Sequence, residues 1–291
     1  MSSAASFSSH QIAPDSLASL PRTCGVYVFW GEGKLPLYIG KSVDIRQRVL
    51  AHLRADDEVN MVAQARRVDF IETAGELGAL LLEARLIKAH SPIFNIRLRR
   101  LRNLCSIRLR EQPQGWVPEI VSGKEVLLGQ TDGLYGLFSS VHAAQSKLRE
   151  LADTHRLCLG LLGLEKIGSR GCFGLQVKTC LGACIGRELP GAHSQRLMDA
   201  LLDLRVHVWP YPDAVDVVEQ KGAWIQRHRI QHWRHLHTWC SRTHKTTRHE
   251  AHGFDLDIYK ILLKPIMMGP QSINLANPGP YVCTEVFPPG Y

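Results

Sequence analysis

Residues 25–39 leave the chain little choice of local fold. Two β-type runs, Gly25–Trp30 and residues 35–39, flank Gly31-Glu32-Gly33-Lys34. Glycine at two of the four loop positions predicts a hairpin with a short loop. Each strand carries one tyrosine, Tyr27 and Tyr38. Gly40 is expected to break the second strand, so that Lys41 and Ser42 open a helix. Over residues 44–54, Ile45, Val49 and Leu53 recur at helical spacing and predict a buried stripe. Asp44, Arg48 and His52 form a second stripe at the same spacing. Lys41, Arg48 and His52 would then look towards one side. A solvated face is the commoner reading of a basic helix. The two adjacent tyrosines favour a dense polar cluster instead, which a hairpin wanting only a core would not need.

A short helix over residues 59–66 and a third strand over residues 68–71 follow. Thr73 and Glu76 have the spacing of a capping box. Residues 77–88 are apolar almost all round, the pattern of a buried helix. Glu83 sits in the middle. A buried carboxylate is neutralised, paired or bound to a metal. Arg85 and Lys88, at i+2 and i+5, are poorly placed to pair with it, which favours a functional Glu83 over a salt bridge. Pro92 ends the helix and Asn95 lies just beyond. Arg97, Arg99, Arg100 and Arg102 then crowd a short stretch. A solvated linker would tolerate them, but arginine in preference to lysine suits phosphate, which matches the guanidinium fork.

The formal charge of +8 agrees with a polyanionic partner such as nucleic acid. No run of about 18 apolar residues offers a spanning helix, and nothing else in the sequence asks for a membrane. Residues 1–20 are Ser/Ala-rich and lack a basic start followed by an apolar block, so they predict a disordered leader and not a signal peptide. The cytoplasm is the expected compartment. Four of the eight cysteines, Cys158, Cys172, Cys180 and Cys184, fall within 27 residues. In a chain without a secretion signal, that grouping suggests metal before disulfides. The C-x13-C-x7-C-x3-C spacing is not that of a zinc ribbon, and four sulfurs could close a tetrahedral or a cubane site.

Between these landmarks, residues 101–155 predict a small α+β extension with strands near 105–110 and 117–121 and a helix over 141–155. Residues 156–190 form the four-cysteine segment, and residues 191–291 a mixed region. Within that region, residues 206–209, 215–219 and 255–264 are expected as strands. Residues 224–252 interleave His, Trp and Arg. That pattern suits stacking against single strands and equally suits core aromatics on ordinary elements.

Gly25-Val26-Tyr27 followed by Tyr38-Ile39-Gly40 resembles the paired signature tripeptides of GIY-YIG nucleases. Lys41, Arg48, Glu83 and Asn95 fall where that family's other catalytic positions lie. The helix around Glu83, Phe94-Asn95, Tyr135-Gly136 and the four cysteines resemble the UvrC branch, and the likeness spans roughly residues 20 to 190. The resemblance implies an α+β fold in which residues 21–100 form a small antiparallel sheet flanked by helices. It implies metal-dependent hydrolysis of damaged double-stranded DNA, one incision on the 3′ side of the lesion, on a complex prepared by UvrA and UvrB. Glu83 would hold Mg²⁺ or Mn²⁺, a tyrosinate from Tyr27 or Tyr38 would activate water, Arg48 would clamp the phosphate, and Asn95 would brace the site. It further implies a [4Fe–4S] cluster on the four cysteines, with zinc as the alternative. His52 departs from the branch, which often has tyrosine there; an imidazole can replace the phenol in hydrogen bonding and proton transfer. A free-standing nuclease with its own target, or a DNA-binding module without catalysis, are the competing classes. The UvrC-like cysteine segment opposes the first, and the retained polar set opposes the second.

Overall fold

Strand β1 (Gly25–Trp30) is the middle strand of an antiparallel sheet, with β2 (Pro36–Ser42) on one side and β3 (Arg67–Glu72) on the other. The computed structural model describes residues 10–95, 103–249, 253–268 and 273–274. Helices α1 (Pro14–Ala18), α2 (Ile45–His52), α3 (Val59–Gln64) and α4 (Glu76–His90) surround the sheet. The two-residue period of a strand divides β1 between two cores. Val26, Val28 and Trp30 pack with Ala79 and Ile87 of α4. Tyr27 and Phe29 pack with Ile45 and Val49 of α2 and with Met61 and Val62 of α3. All six residues of β1 are therefore buried.

Three expectations need correction here. Gly40 does not break the second strand: β2 runs on to Ser42, and Gly40 is the register partner of Tyr27. Its role is space. A Cβ at Gly40 would lie 2.4 Å from the Tyr27 hydroxyl oxygen and 2.8 Å from Cε1 of Tyr38. Lys41 thus belongs to a strand, and the helix begins at Ile45, where the Asp44 carboxylate accepts from Gln47 N at 2.8 Å. The expected leader is folded from residue 10 on. Ile12 and Leu20 are buried in the core, and the Ser16 hydroxyl bonds both N and O of Val68. The Ser/Ala-rich composition hid this apolar spacing. Thr73 does not cap α4; the capping position is Gly75, without a side chain of its own, and the Thr73 hydroxyl donates to Gly75 O at 2.8 Å.

The chain separates into two compact units. One joins Met1–Leu101 with Pro210–Tyr291, and the other is Arg102–Trp209. In the second, β4 (Cys105–Gln112) lies between β5 (Gly115–Ser122) and β6 (Leu134–Phe138). Helix α5 (Val141–His155), capped by Ser140, packs on this sheet; the short α6 (Phe173–Gln176) and the longer α7 (Pro190–Leu201) follow. Ile107, Ala144, Leu148, Leu197 and Leu201 share one core. The stretch expected to extend the first domain therefore packs with α7 and with Leu157 and Leu162 at the start of the cysteine segment. Residues 206–209 form no strand; beside them is an isolated bridge between Tyr135 and Arg205.

Back in the first unit, β7 (Val215–Lys221), β8 (Trp224–Gln231), β9 (Arg234–Cys240) and β10 (Lys245–Arg248) form an antiparallel meander, with β11 (Ile273–Asn274) beside β7. Many of the interleaved His, Trp and Arg residues lie on these strands, while His232 and Trp233 form the turn between β8 and β9. Trp224 and Trp233 are buried, and the Arg242 guanidinium sits 3.7 Å from the Trp224 ring centroid. The last expected strand is a helix, α8 (Leu256–Met268). Asp255 accepts from the N–H groups of Asp257 and Ile258 at its start, and Tyr259, Leu262 and Ile266 are buried at helical spacing. Among the described residues no helix is long and apolar enough to cross a membrane.

Because the Gly40 position is filled by the Tyr27 ring, Gly40→Ala should lower the unfolding free energy by about 1–3 kcal/mol, the usual cost of overpacking. Urea unfolding of the variant beside the wild type measures this; an unchanged midpoint would show that the ring has room to move.

Candidate active site and metal centre

β2 is the outer strand of its sheet, so its far edge needs partners from elsewhere. Leu37, Ile39 and Lys41 turn their backbone groups that way. Phe94 N donates to Leu37 O at 2.9 Å. The Asn95 side chain takes the place of a peptide unit: Oδ1 accepts from Ile39 N and Nδ2 donates to Ile39 O, both at 2.8 Å. Glu83 Oε1 accepts from Lys41 N at 3.0 Å. Three successive outward positions of one strand thus gather Glu83 of α4 and Asn95 beyond it.

Glu83 is half-buried, and burial raises its carboxyl above the usual range against the opposing pull of the Lys41 N–H and charge. Its second oxygen meets no hydrogen-bond donor among the described residues. Neither basic residue considered for it pairs with it. Lys88 Nζ is held by Asp255 at 2.6 Å and Asp257 at 3.0 Å, and Arg85 makes no ion pair with it. The Lys41 ammonium pairs with Glu76. A half-buried carboxylate with one open oxygen and no paired cation suits a hard divalent ion such as Mg²⁺ or Mn²⁺.

Tyr27 is 1 % exposed, and its hydroxyl lies 2.7 Å from Nε2 of the buried His52. The other ring nitrogen, Nδ1, bonds the carboxylate of Glu58. A carboxylate only accepts, so Nδ1 carries the proton and Nε2 accepts from Tyr27. Burial lowers the His52 pKa below the ordinary imidazole value, although the Glu58 charge and hydrogen bond act to raise it. Burial also raises the Tyr27 phenol, with the neighbouring Tyr38 adding to the effect; the Arg48 guanidinium, hydrogen-bonded to the Tyr27 oxygen, opposes it. Tyr38 is half-buried, with ring centroids 6.2 Å from Tyr27 and 5.3 Å from His52. Its phenol is raised by burial and by the charges of Glu83 and Glu58, while the Arg48 charge opposes them.

The helix therefore does not present Arg48 and His52 as a solvated basic face. Both reach the Tyr27 hydroxyl, Arg48 from solvent and His52 from the core. Glu58 escaped the sequence reading because it closes an acidic run, Asp56-Asp57-Glu58, which has the look of a loop. Its signal was an acid six residues beyond a histidine, at the start of the next helical segment. Arg97, Arg99, Arg100 and Arg102 lie outside the described residues.

In the other unit, the Sγ atoms of Cys158, Cys172, Cys180 and Cys184 all lie within 4.8 Å of one another, and the first three residues are buried. Backbone N–H groups point at three of the sulfurs: Cys172 N to Cys184 at 3.4 Å, Leu175 N to Cys172 at 3.3 Å and Gly182 N to Cys180 at 3.3 Å. Left-handed Gly171 (φ +88°) and Gly182 (φ +92°) give the chain its turns around the cluster. Burial pushes the Cys158 thiol up to about 11 and raises Cys172 as well. For Cys184 burial acts upward too, but the Cys172 N–H and the three neighbouring thiols draw it below the ordinary value. Four converging soft donors, with N–H groups ready to share thiolate charge, fit a metal centre.

Residues 23–96 match the UvrC-like GIY-YIG domain, residues 104–203 the UvrC/Cho excinuclease middle domain, and residues 214–279 the excinuclease Cho C-terminal domain. The excinuclease cho of Salmonella typhimurium is 49% identical over 261 residues, 88% of this chain and 87% of that protein. The UvrABC system protein C of Thermus thermophilus is 32% identical over 202 residues, 65% of this chain and 32% of that protein. The crystal structure of the GIY-YIG N-terminal endonuclease domain of UvrC from Thermotoga maritima, bound to magnesium, aligns at 31% identity and a TM-score of 0.26, covering 28% of this chain and 93% of that one. The protein is a UvrC-like GIY-YIG endonuclease, an enzyme that hydrolyses DNA phosphodiester bonds. Within that class, the chain belongs to the excinuclease Cho family of DNA repair nucleases.

If the four thiols form a metal centre, Cys172→Ser should leave the purified protein with less than about a tenth of the wild-type metal per chain, since a buried site that loses one of four donors no longer closes. Elemental analysis by plasma mass spectrometry measures the ratio; equal metal content in the two proteins would remove the site.

Proposed function

We propose that this chain makes a single incision on the 3′ side of a lesion in double-stranded DNA, as a cytoplasmic enzyme acting on a complex prepared by UvrA and UvrB. The observation that carries the catalytic reading is the convergence, along one edge and one face of β2, of an open carboxylate oxygen on Glu83 and a hydrogen-bonded series from Tyr27 through His52 to Glu58, with the Tyr38 ring beside Tyr27 and His52.

Glu83 holds the divalent ion, Mg²⁺ or Mn²⁺, which supplies stabilisation of charge on the transferring phosphate and the leaving 3′ oxygen. Tyr38, the more exposed phenol, takes the proton of the attacking water as its own proton moves to the Tyr27 oxygen and the Tyr27 proton to Nε2 of His52. Tyr27 and His52 pass charge inward, and Glu58 fixes the imidazole tautomer and stabilises it when protonated, the logic of a nucleophile–histidine–carboxylate series. Arg48 stabilises the Tyr27 phenolate and clamps the scissile phosphate. Lys41 fixes Glu83 through its backbone N–H, and Asn95 holds β2 against the chain beyond α4. Arg97, Arg99, Arg100 and Arg102 supply phosphate contacts on charge grounds. The four cysteines hold a [4Fe–4S] cluster. Zinc is the second reading, favoured by the close sulfur spacing, because one tetrahedral ion with bonds of about 2.3 Å sets S–S edges of about 3.8 Å. A visible absorption spectrum of anaerobically purified protein separates the two.

A defined single-lesion duplex, incubated with and without UvrA and UvrB and with Mg²⁺ or a chelator, tests the function. Nicking on the 3′ side that needs lesion, partners and metal is the expected result. Glu83→Ala should abolish nicking while DNA binding stays within about twofold of wild type, because one carboxylate anchors the ion; nicking at the wild-type rate would sink the assignment.

A pH profile tests the relay. The His52 pKa lies below the ordinary value, so the ring is neutral at pH 7 and can accept from Tyr27. Nicking should fall as the pH drops through that pKa. Glu58→Gln removes the charge that raises it, so the acid limb should move to lower pH, while the plateau rate drops about tenfold or more as the imidazole loses its orienting partner. Superimposable profiles for the two proteins would show that Glu58 plays no part.

A further inference from the structure

Helix α4 carries Glu83, yet both of its ends are held by side chains from the C-terminal part of the chain. At the start, Glu219 of β7 accepts from Leu77 N through Oε1 and from Gly78 N through Oε2, each at 2.7 Å. Gln226 of β8 accepts from Ala74 N at 2.9 Å just before the helix. At the far end, Lys88 is held by Asp255 and Asp257 at the start of α8. The first N–H groups of a helix have no partner within it, and here a carboxylate more than 140 residues away in sequence supplies one. The helix is shaped to receive it: a Cβ at Gly75 would lie 2.2 Å from Glu219 Oε1, and one at Gly78 3.0 Å from Oε2. Buried His228 backs the carboxylate, with Nε2 3.3 Å from Oε2, and its own Nδ1 is 3.0 Å from the Thr238 hydroxyl.

We propose that Glu219 is a positioning residue for the nuclease reaction: by capping the first turn of α4 it fixes where Glu83 presents its open oxygen to the divalent ion. The proposal rests on the reading of Glu83 as the metal ligand. Two links carry the effect. The axial position of α4 sets the Glu83–Lys41 N contact at 3.0 Å. The first turn itself bears Glu76, which pairs with the Lys41 ammonium. A first turn that frays or slides loosens both contacts of Lys41 and moves the carboxylate with them. A charged acceptor is apt, because the positive end of the helix dipole and two N–H donors favour an anion at that point.

The test uses the full chain and two readouts, Mn²⁺ binding followed by electron paramagnetic resonance and single-turnover nicking against Mg²⁺ concentration. Glu219→Ala should weaken Mn²⁺ binding and raise the Mg²⁺ concentration for half-maximal rate by about three- to tenfold, the size expected for a lost cap, with DNA affinity within twofold of wild type. Glu219→Gln keeps the shape and one acceptor oxygen, and should fall between the two. It also serves if the alanine variant does not fold. Unchanged Mn²⁺ affinity and Mg²⁺ half-saturation in a folded Glu219 variant would overturn the proposal. Glu83→Ala is the companion measurement. Loss of Mn²⁺ binding there, with Glu219 variants unaffected, rejects the Glu219 role alone; Mn²⁺ binding retained by Glu83→Ala rejects the metal reading beneath it.

Discussion

The outer edge of β2 is the constraint on which the site depends. An edge strand exposes every second N–H and C=O, and buried backbone groups of that kind must find partners. Here the partners are the Glu83 carboxylate, the Asn95 amide and the Phe94 N–H. Each bond is worth about 0.5–1.5 kcal/mol net in stability. Their geometric effect matters more: because they occupy alternate residues of one strand, the separation of Glu83 from Asn95 is set by strand pitch and not by flexible side chains. The paired glycines act on the inner side of the same ribbon. Gly40 clears the space the Tyr27 ring fills, and a Cβ at Gly25 would lie 2.2 Å from Ile71 O of β3. The signature tripeptides therefore encode packing as much as chemistry.

Environment, more than identity, separates the two tyrosines. They stand on neighbouring strands with their rings in contact, but one hydroxyl is sealed in and the other borders solvent. The sealed phenol touches an imidazole and a guanidinium, so it can pass charge in either direction but cannot meet water. The half-exposed phenol can meet water but lacks a base of its own. The histidine joins the sealed phenol to a carboxylate on the following turn. A phenol at position 52 would give that carboxylate one hydroxyl to share, where the imidazole offers two nitrogens on opposite sides.

Much of this was legible in the sequence. The hairpin, the third strand, the buried helix around Glu83 and the helix over 141–155 follow from periodicity, and the grouping of four cysteines is visible from spacing alone. What stayed hidden was long-range. Thr73 has the right local spacing to cap α4, but the cap comes from Glu219, which no local pattern connects to Leu77. Residues 255–264 read as a strand or strand pair in the sequence; the Asp255 cap and burial at Tyr259, Leu262 and Ile266 decide for helix. Gly40 has the look of a strand breaker because a sequence does not show which ring lies over it. Glu58 was concealed by its company, since an acidic run is usually solvated.

The path from His52 to Glu58 has a consequence of a different kind. Five residues, 53–57, separate them, and the chain turns tightly on the way, with Glu58 N donating to Ala55 O at 3.2 Å. This stretch works as a ruler. Its acidic and small residues could be exchanged for many others without touching the core. Adding or removing one would swing Glu58 to another side of the turn and part it from the imidazole, although every catalytic side chain were still present. For this loop, with Leu53 held in the core, length is the information that the remaining residues carry.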